Sequence, residues 1–266
     1  MKLGIIGKGF VGSAVANGFD RDTEQFVVDP NLNKNTITDL VNSFDPPLTF
    51  VCVPTPEQDT HMDVDVSIAR DVLAKLEHEK YKGIIVIKST ITPDHLTTFK
   101  KTFSKLKLVY NPEFLTEANS FEDFKNPSMQ VLGGKWRDCE VVEKAYVKHS
   151  SVKIVPTFKT DLITASLIKY SINCWLATKV IFFNELFEVH KNSGTKVPWS
   201  NFVEMLSQDI RIGDSHMKVP GPDGKYGYGG HCFPKDTKAF LYYSKLKKAE
   251  MKMLKKAIEI NSKLRD

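Results

Sequence analysis

Cysteine is scarce: four in 266 residues, at positions 52, 139, 174 and 232. Their spacing fits neither paired zinc ligands nor a dense disulfide framework, so no metal site is expected and a reducing, cytoplasmic compartment is. Long apolar runs are also missing. The best stretch, residues 172–183, contains Asn173 and Lys179 and falls short of the roughly 20 residues that cross a bilayer. The strand pattern starts at the N-terminus and leaves no room for a secretory leader. No basic block occurs. Lys+Arg 37 against Asp+Glu 32 leaves +5, scattered along the chain. Such a surplus suits a small phosphorylated ligand, and neither a nucleic-acid nor a membrane partner is expected. The nearest thing to a run, the lysines at 245, 247, 248, 252, 255 and 256, is interleaved with Met251, Leu254 and Ile258. That spacing reads as the solvated face of a helix. There is no internal repeat and no low-complexity tract. At 41% hydrophobic and 26% charged, the composition is that of a folded protein.

What is present is an alternation. Continuous apolar runs at 3–6, 26–28, 48–53, 83–87, 106–110, 129–132 and 152–156 are separated by amphipathic stretches at 11–19, 66–76, 95–103 and 138–148. Apolar runs without alternation are strands covered on both faces. The order predicts an α/β, Rossmann-like, doubly wound parallel sheet over residues 1–158. From 160 to 191 the pattern is helical, without Gly or Pro, and apolar on more than one face. A helix of that length spans about 45 Å, so a small helical domain over 159–266 and a homodimer built on this helix are expected.

Gly7-Lys8-Gly9-Phe10-Val11-Gly12 follows the first strand and opens a helix. In that context the first Gly makes the tight turn, the second admits a pyrophosphate, and the third permits close packing. The helix N-terminus supplies N–H groups for phosphate. Asp29 ends the next strand, 17 residues after Gly12. A carboxylate there accepts bonds from ribose hydroxyls and repels a 2′-phosphate, so the cofactor expected is NAD.

A second unusual stretch is Tyr226-Gly227-Tyr228-Gly229-Gly230-His231-Cys232-Phe233-Pro234-Lys235-Asp236. Its glycines allow close backbone approach, and they deliver Cys232 to a helix start, where a thiol becomes more acidic. Cys52, Cys139 and Cys174 lie in strand or helix patterns and read as buried packing. Lys169 and Asn173 are one turn apart on the long helix. Glu113 and Glu117 follow the fifth strand at the sheet edge where ligands bind. Ser89-Thr90 and Val53-Pro54-Thr55-Pro56 end strands at the same edge.

Together these residues resemble the UDP-glucose/GDP-mannose dehydrogenase family. The matching elements run in family order: Gly7 to Gly12, Val53-Pro54-Thr55-Pro56, Lys88-Ser89-Thr90, Asn111 to Glu117, Lys169 to Asn173, Asn184-Glu185, Arg211-Ile212-Gly213 and Gly227 to Asp236. The last is highly specific and resembles the UDP-glucose members most. The resemblance implies oxidation of a sugar C6 alcohol to a carboxylate, UDP-glucose to UDP-glucuronate, with two NAD consumed. It implies Cys232 as nucleophile, passing through a thiohemiacetal and a thioester. By the same likeness Lys169 and Asn173 stabilise oxygen charge, and Asp236 positions water or takes a proton. Glu113 assists thioester hydrolysis, and Thr90 holds a water or the cofactor edge. Phe10, Val11, Val53, Pro54, Thr55, Ser89, Thr90, Glu117 and Lys235 would complete the cofactor site. Phe114, Leu115, Arg211, Tyr226 and Gly229 would join Lys169, Asn173 and Cys232 at the sugar. Arg211 would reach a neighbouring subunit.

Three features depart from the family pattern: Ser166 where a glutamate is usual, Thr116 where an arginine is common, and an end at Asp266, where a second Rossmann-like domain usually begins. The chain is therefore expected to bind NAD normally and UDP-sugar weakly unless a separate C-terminal chain supplies that domain. Two other readings stay open at this point. One is a single-step hydroxyacid or 6-phosphogluconate type dehydrogenase, which needs no cysteine. The other is a non-catalytic NAD-binding subunit.

Overall fold

The computed structural model describes residues 1–32, 34–58, 63–115 and 119–266. The chain divides into two compact units: Met1–Pro56 with Val64–Lys169, and Glu57–Asp63 with Tyr170–Asp266.

The first unit holds a seven-stranded sheet in the order β2-β1-β3-β4-β5-β6-β7. Its strands are β1 Lys2–Ile6, β2 Glu24–Val28, β3 Leu48–Val51, β4 Ile84–Ile87, β5 Lys107–Tyr110, β6 Gln130–Gly134 and β7 Thr157–Thr160. All neighbours are parallel except β5 and β6. The helices are α1 Phe10–Gly18, α2 Ile37–Asp39, α3 Ser67–His78, α4 Pro93–Thr102, α5 Ser120–Lys125 and α6 Trp136–His149. The doubly wound sheet expected from the apolar runs is present. Leu48, Phe50, Ile84 and Val86 from β3 and β4 are buried, and with Leu3, Ile5, Val15, Phe19 and Val142 they form its core.

Local differences have local causes. The apolar run 152–156 is not a strand; β7 begins just after it, at Thr157. Pro156 lacks an N–H to donate to a ladder. Its carbonyl does accept from Gln130 N (2.9 Å), and pairing starts one residue later. The antiparallel β6 replaces one parallel crossover. Helix α2 lay unread in the sequence, although Thr36 and Asp39 form a capping box at its start. It continues into a π-helical turn, Leu40–Phe44, that ends at Asp45 with φ +47°.

β1 hydrogen-bonds to β2 on one side and β3 on the other, so the strand order reverses beside β1. The crevice outside the C-terminal ends of β1 and β3 is where such sheets bind ligands.

The long helix α7, Leu162–Asn192, begins where Asp161 caps it. The Asp161 carboxylate accepts from Thr164 N (2.9 Å) and from Thr164 Oγ1 (2.7 Å). Those bonds hold Asp161 below its ordinary pKa. In the second unit α7 is followed by α8 Trp199–Ser207, α9 Phe233–Leu246 and α10 Lys252–Arg265. Two apolar clusters stand out among its described residues. One joins Ala177, Ile181, Tyr228 and Ala257. The other joins Phe183, Met217 and Val219, with Trp199 and Leu206 against them. Among the described residues no helix is long and apolar enough to cross a membrane.

Candidate active site

In the first unit, the turn after β1 is built by crowding. Gly7 has φ +86°, and a Cβ there would lie 2.8 Å from Cys52 O. A Cβ on Gly12 would lie 1.9 Å from Gly7 O, inside the same loop. Gly9 is the contrary case, with no atom within 4 Å of such a Cβ. The loop is thus closed on its protein side and open at Gly9, which suits the close approach of a pyrophosphate. Beside it is a cleft of about 850 Å³ lined by Gly7, Gly9, Asp29, Val53, Pro54 and Lys75, among others. Asp29 is oriented by backbone donors: Lys8 N to Oδ2 (2.7 Å) and Asn31 N to Oδ1 (2.9 Å). Each carboxylate oxygen has further lone-pair capacity for a ribose hydroxyl. These residues fit a dinucleotide by size and by donor set.

Other expected cofactor residues are placed differently from one another. Val11 packs against the sheet core, while Phe10 is exposed and lines a second depression with Gly9, Ser13 and Phe121. Ser89 Oγ donates to Val53 O (2.6 Å) and Thr55 Oγ1 to Thr90 O (2.9 Å), so these side chains tie together the segments that follow β3 and β4. Glu117 lies outside the described residues.

After β5, Glu113 is ion-paired with Lys88 (2.6 Å). The Phe114 ring lies under the Lys169 ammonium, 5.3 Å from centroid to Nζ. Leu115 packs against the sheet core. Ser166, at the family's glutamate position, donates its hydroxyl to Ile91 O (2.7 Å) and is buried.

In the second unit, α9 starts at Phe233 and Cys232 is its N-cap residue. Asp236 N donates to Cys232 O (2.8 Å), closing the first turn. Asp236 is buried and held from two sides, by Asn173 Nδ2 on Oδ2 (2.6 Å) and Lys235 Nζ on Oδ1 (2.6 Å). Lys235, expected near the cofactor, is therefore engaged with Asp236. Cys232 is the exposed cysteine of the four. Burial pushes the other thiols up, Cys52 to about 12 and Cys139 to about 11. Cys174 is raised as well, by burial first and then by Asp236. At neutral pH those three stay protonated and poorly nucleophilic.

The loop before Cys232 is clamped by residues that have no part in the expected chemistry. Gly227 N donates to Asn184 Oδ1 (3.0 Å) and Tyr228 N to Asn261 Oδ1 (2.7 Å). Arg265 Nη2 donates to Gly227 O (2.9 Å). A side chain on Gly229 would meet the Arg265 guanidinium at 2.7 Å. Asn184 carries a cue in the Asn184-Glu185 element, whereas Asn261 stands out only as a polar residue on a packed helix face. Buried Lys179 is similar: its Nζ donates to Ile212 O (2.9 Å), in the loop that carries Arg211. Arg211 itself is exposed and paired with Asp209, and Tyr226 is exposed with its ring 6.2 Å from that of Phe187.

Residues 23–150 match the NAD binding domain of the UDP-glucose/GDP-mannose dehydrogenase family, and residues 163–263 match its central domain. The chain belongs to this family. Its cofactor is accordingly NAD. It is 34% identical over 221 residues to a UDP-glucose 6-dehydrogenase of Rickettsia felis, covering 80% of this chain and 47% of that protein. The chain thus spans about half the length of that curated relative. The fold matches a UDP-glucose dehydrogenase of Pyrobaculum islandicum with TM-score 0.82 at 24% identity, covering 98% of this chain and 68% of that one. It also matches a UDP-D-ManNAc dehydrogenase of Pyrococcus horikoshii, with TM-score 0.78 at 18% identity, covering 99% of this chain and 69% of that one.

Proposed function

We propose that this family member oxidises the C6 alcohol of UDP-glucose to UDP-glucuronate, with residues 1–158 binding NAD and 159–266 carrying the nucleophile. The observation that carries the reading is the head of α9: an exposed cysteine one turn before a buried, doubly held aspartate. The likeness to the Rickettsia felis protein supports UDP-glucose as the sugar.

NAD, when bound, accepts one hydride in each of two oxidations. Cys232 Sγ adds to the aldehyde carbon left by the first oxidation, forming a thiohemiacetal whose oxygen takes up the charge. Lys169 and Asn173 stabilise that oxygen electrostatically. Loss of the second hydride leaves a thioester on Cys232, which prevents the aldehyde from escaping. Water then cleaves the C–S bond, with Glu113 assisting as base and Asp236 handling a proton, and the carboxylate leaves with the thiol restored. Arg211 and Tyr226, both exposed, remain candidates for sugar or phosphate contacts.

The test is stoichiometry. The purified protein given UDP-glucose and NAD should release two NADH per sugar and one carboxylic acid. One NADH per sugar would favour the single-step dehydrogenase reading, and none the non-catalytic one.

Assembly as a homodimer through α7 belongs to the same proposal. Trp175, Phe182 and Val189 are exposed and stand seven residues apart, so they form one apolar stripe along the helix. Light scattering at micromolar concentration should give twice the chain mass, and Trp175→Glu should halve it. A native protein that scatters as a monomer would sink this part.

A further inference from the structure

Lys88 directly follows β4, and its backbone N donates to Val51 O (2.9 Å). Its side chain runs inward and is 3% exposed. The ammonium meets three acceptors. Glu113 Oε2 is 2.6 Å away, Asn111 Oδ1 2.9 Å and Tyr146 OH 3.3 Å. An ammonium has three donors, so its capacity is filled. The acceptors are themselves held: Tyr146 OH donates to Asn111 Oδ1 (2.7 Å), and Asn111 Nδ2 donates to Val131 O (2.9 Å). The rings of Phe124 and Tyr146 flank the charge, 5.5 and 5.9 Å from Nζ. Burial alone would lower the lysine's pKa. The Glu113 carboxylate, with Tyr146 and Cys52, outweighs it and the net shift is upward.

The pair is asymmetric. The lysine side chain is 2% exposed and the glutamate 14%, so the cation lies deeper than a carboxylate that keeps some access to solvent. Taking an ammonium out of water costs several kcal/mol, and well-packed apolar residues often replace such pairs without loss of stability. Stability is therefore a poor reason for this cage. Direction is a better one: the immobile Lys88 cation holds Oε2, and Phe114 N donates to Oε1 (3.3 Å), so the carboxylate is held at both oxygens.

We propose that Lys88, fixed by Asn111 and Tyr146, is a positioning residue that sets the direction of the Glu113 carboxylate for activating water. The inference rests on the hydrolytic role given to Glu113 above. Lys88 is buried with its ammonium fully engaged, so it acts through Glu113 and adds no step to the chemistry.

The experiment is a mutant cycle on the full chain, with UDP-glucuronate formation, NAD affinity and a crystal structure as readouts. A displaced base costs on the order of a hundredfold, so Lys88→Met should lower kcat by about that factor with KM and NAD Kd nearly unchanged. In the Glu113→Gln background Lys88→Met should add nothing, because both changes remove one unit. Tyr146→Phe, which keeps the ring and removes only the hydroxyl, should give a smaller loss of the same kind and serves if Lys88→Met fails to fold. Losses that multiply in the double variant would overturn the proposal, as would native kcat in Lys88→Met. Glu113→Gln at native rate would instead sink the role of Glu113. Positioning is then decided by the Lys88→Met crystal structure: a carboxylate displaced by an ångström or more supports it, and one left in place overturns it.

Discussion

Replacing Cys232 with serine should abolish acid formation, by about a thousandfold or more, while NAD affinity stays within a factor of two. The reason lies in the geometry of the α9 start. Cys232 is exposed, whereas Asp236, one turn along the helix, is buried and accepts from both Asn173 and Lys235. A serine hydroxyl keeps the shape of the loop but attacks an aldehyde less readily, and any ester it forms hydrolyses more slowly than a thioester. Because Asn184, Asn261 and Arg265 hold the loop through its backbone, the substitution leaves the fold intact. Chromatographic assay of UDP-glucuronate measures the loss. Mass spectrometry of acid-quenched native protein should find a sugar adduct on Cys232 and none on Cys52, Cys139 or Cys174. Acid production at the native rate by Cys232→Ser would refute the nucleophile.

The second large effect is expected at Gly12. A methyl group there would lie 1.9 Å from Gly7 O and 2.9 Å from Gly7 C, both backbone atoms that cannot swing aside. The turn must open, so Gly12→Ala should cost about 1–3 kcal/mol of stability as overpacking. It should also weaken NAD binding by about a hundredfold, equivalent to ~2.8 kcal/mol. Gly9→Ala separates the two effects. Nothing lies within 4 Å of its Cβ, so stability should hold while the methyl occupies space meant for pyrophosphate. Thermal unfolding and titration calorimetry measure both quantities. Native NAD affinity in both variants would place the phosphates away from this loop.

Much of this was legible in one dimension because it depends on short-range pattern. Continuous apolar runs such as 84–87 and 48–51 fall on buried strands, and the glycines at 7, 9 and 12 need only their immediate neighbours to define a turn. Asp29 and Cys232 were legible for the same reason, each standing at the end of a recognisable local element. The helix at 37–39 was legible in principle through Thr36 and Asp39, but its single turn is too short for apolar periodicity to mark it.

The sequence by itself therefore determined the doubly wound sheet short of its antiparallel β5–β6 pair, the cofactor turn and the cysteine at a helix start. Tertiary structure decided what braces them. The Lys88 cage joins residues 23 and 58 positions apart, and the loop before Cys232 is held across 43 and 33 positions. A lysine or asparagine on a helix or strand reads the same whether it meets water or a buried partner. Only chain closure brings the acceptor to it, and only burial makes that bond worth more than the one water would have supplied.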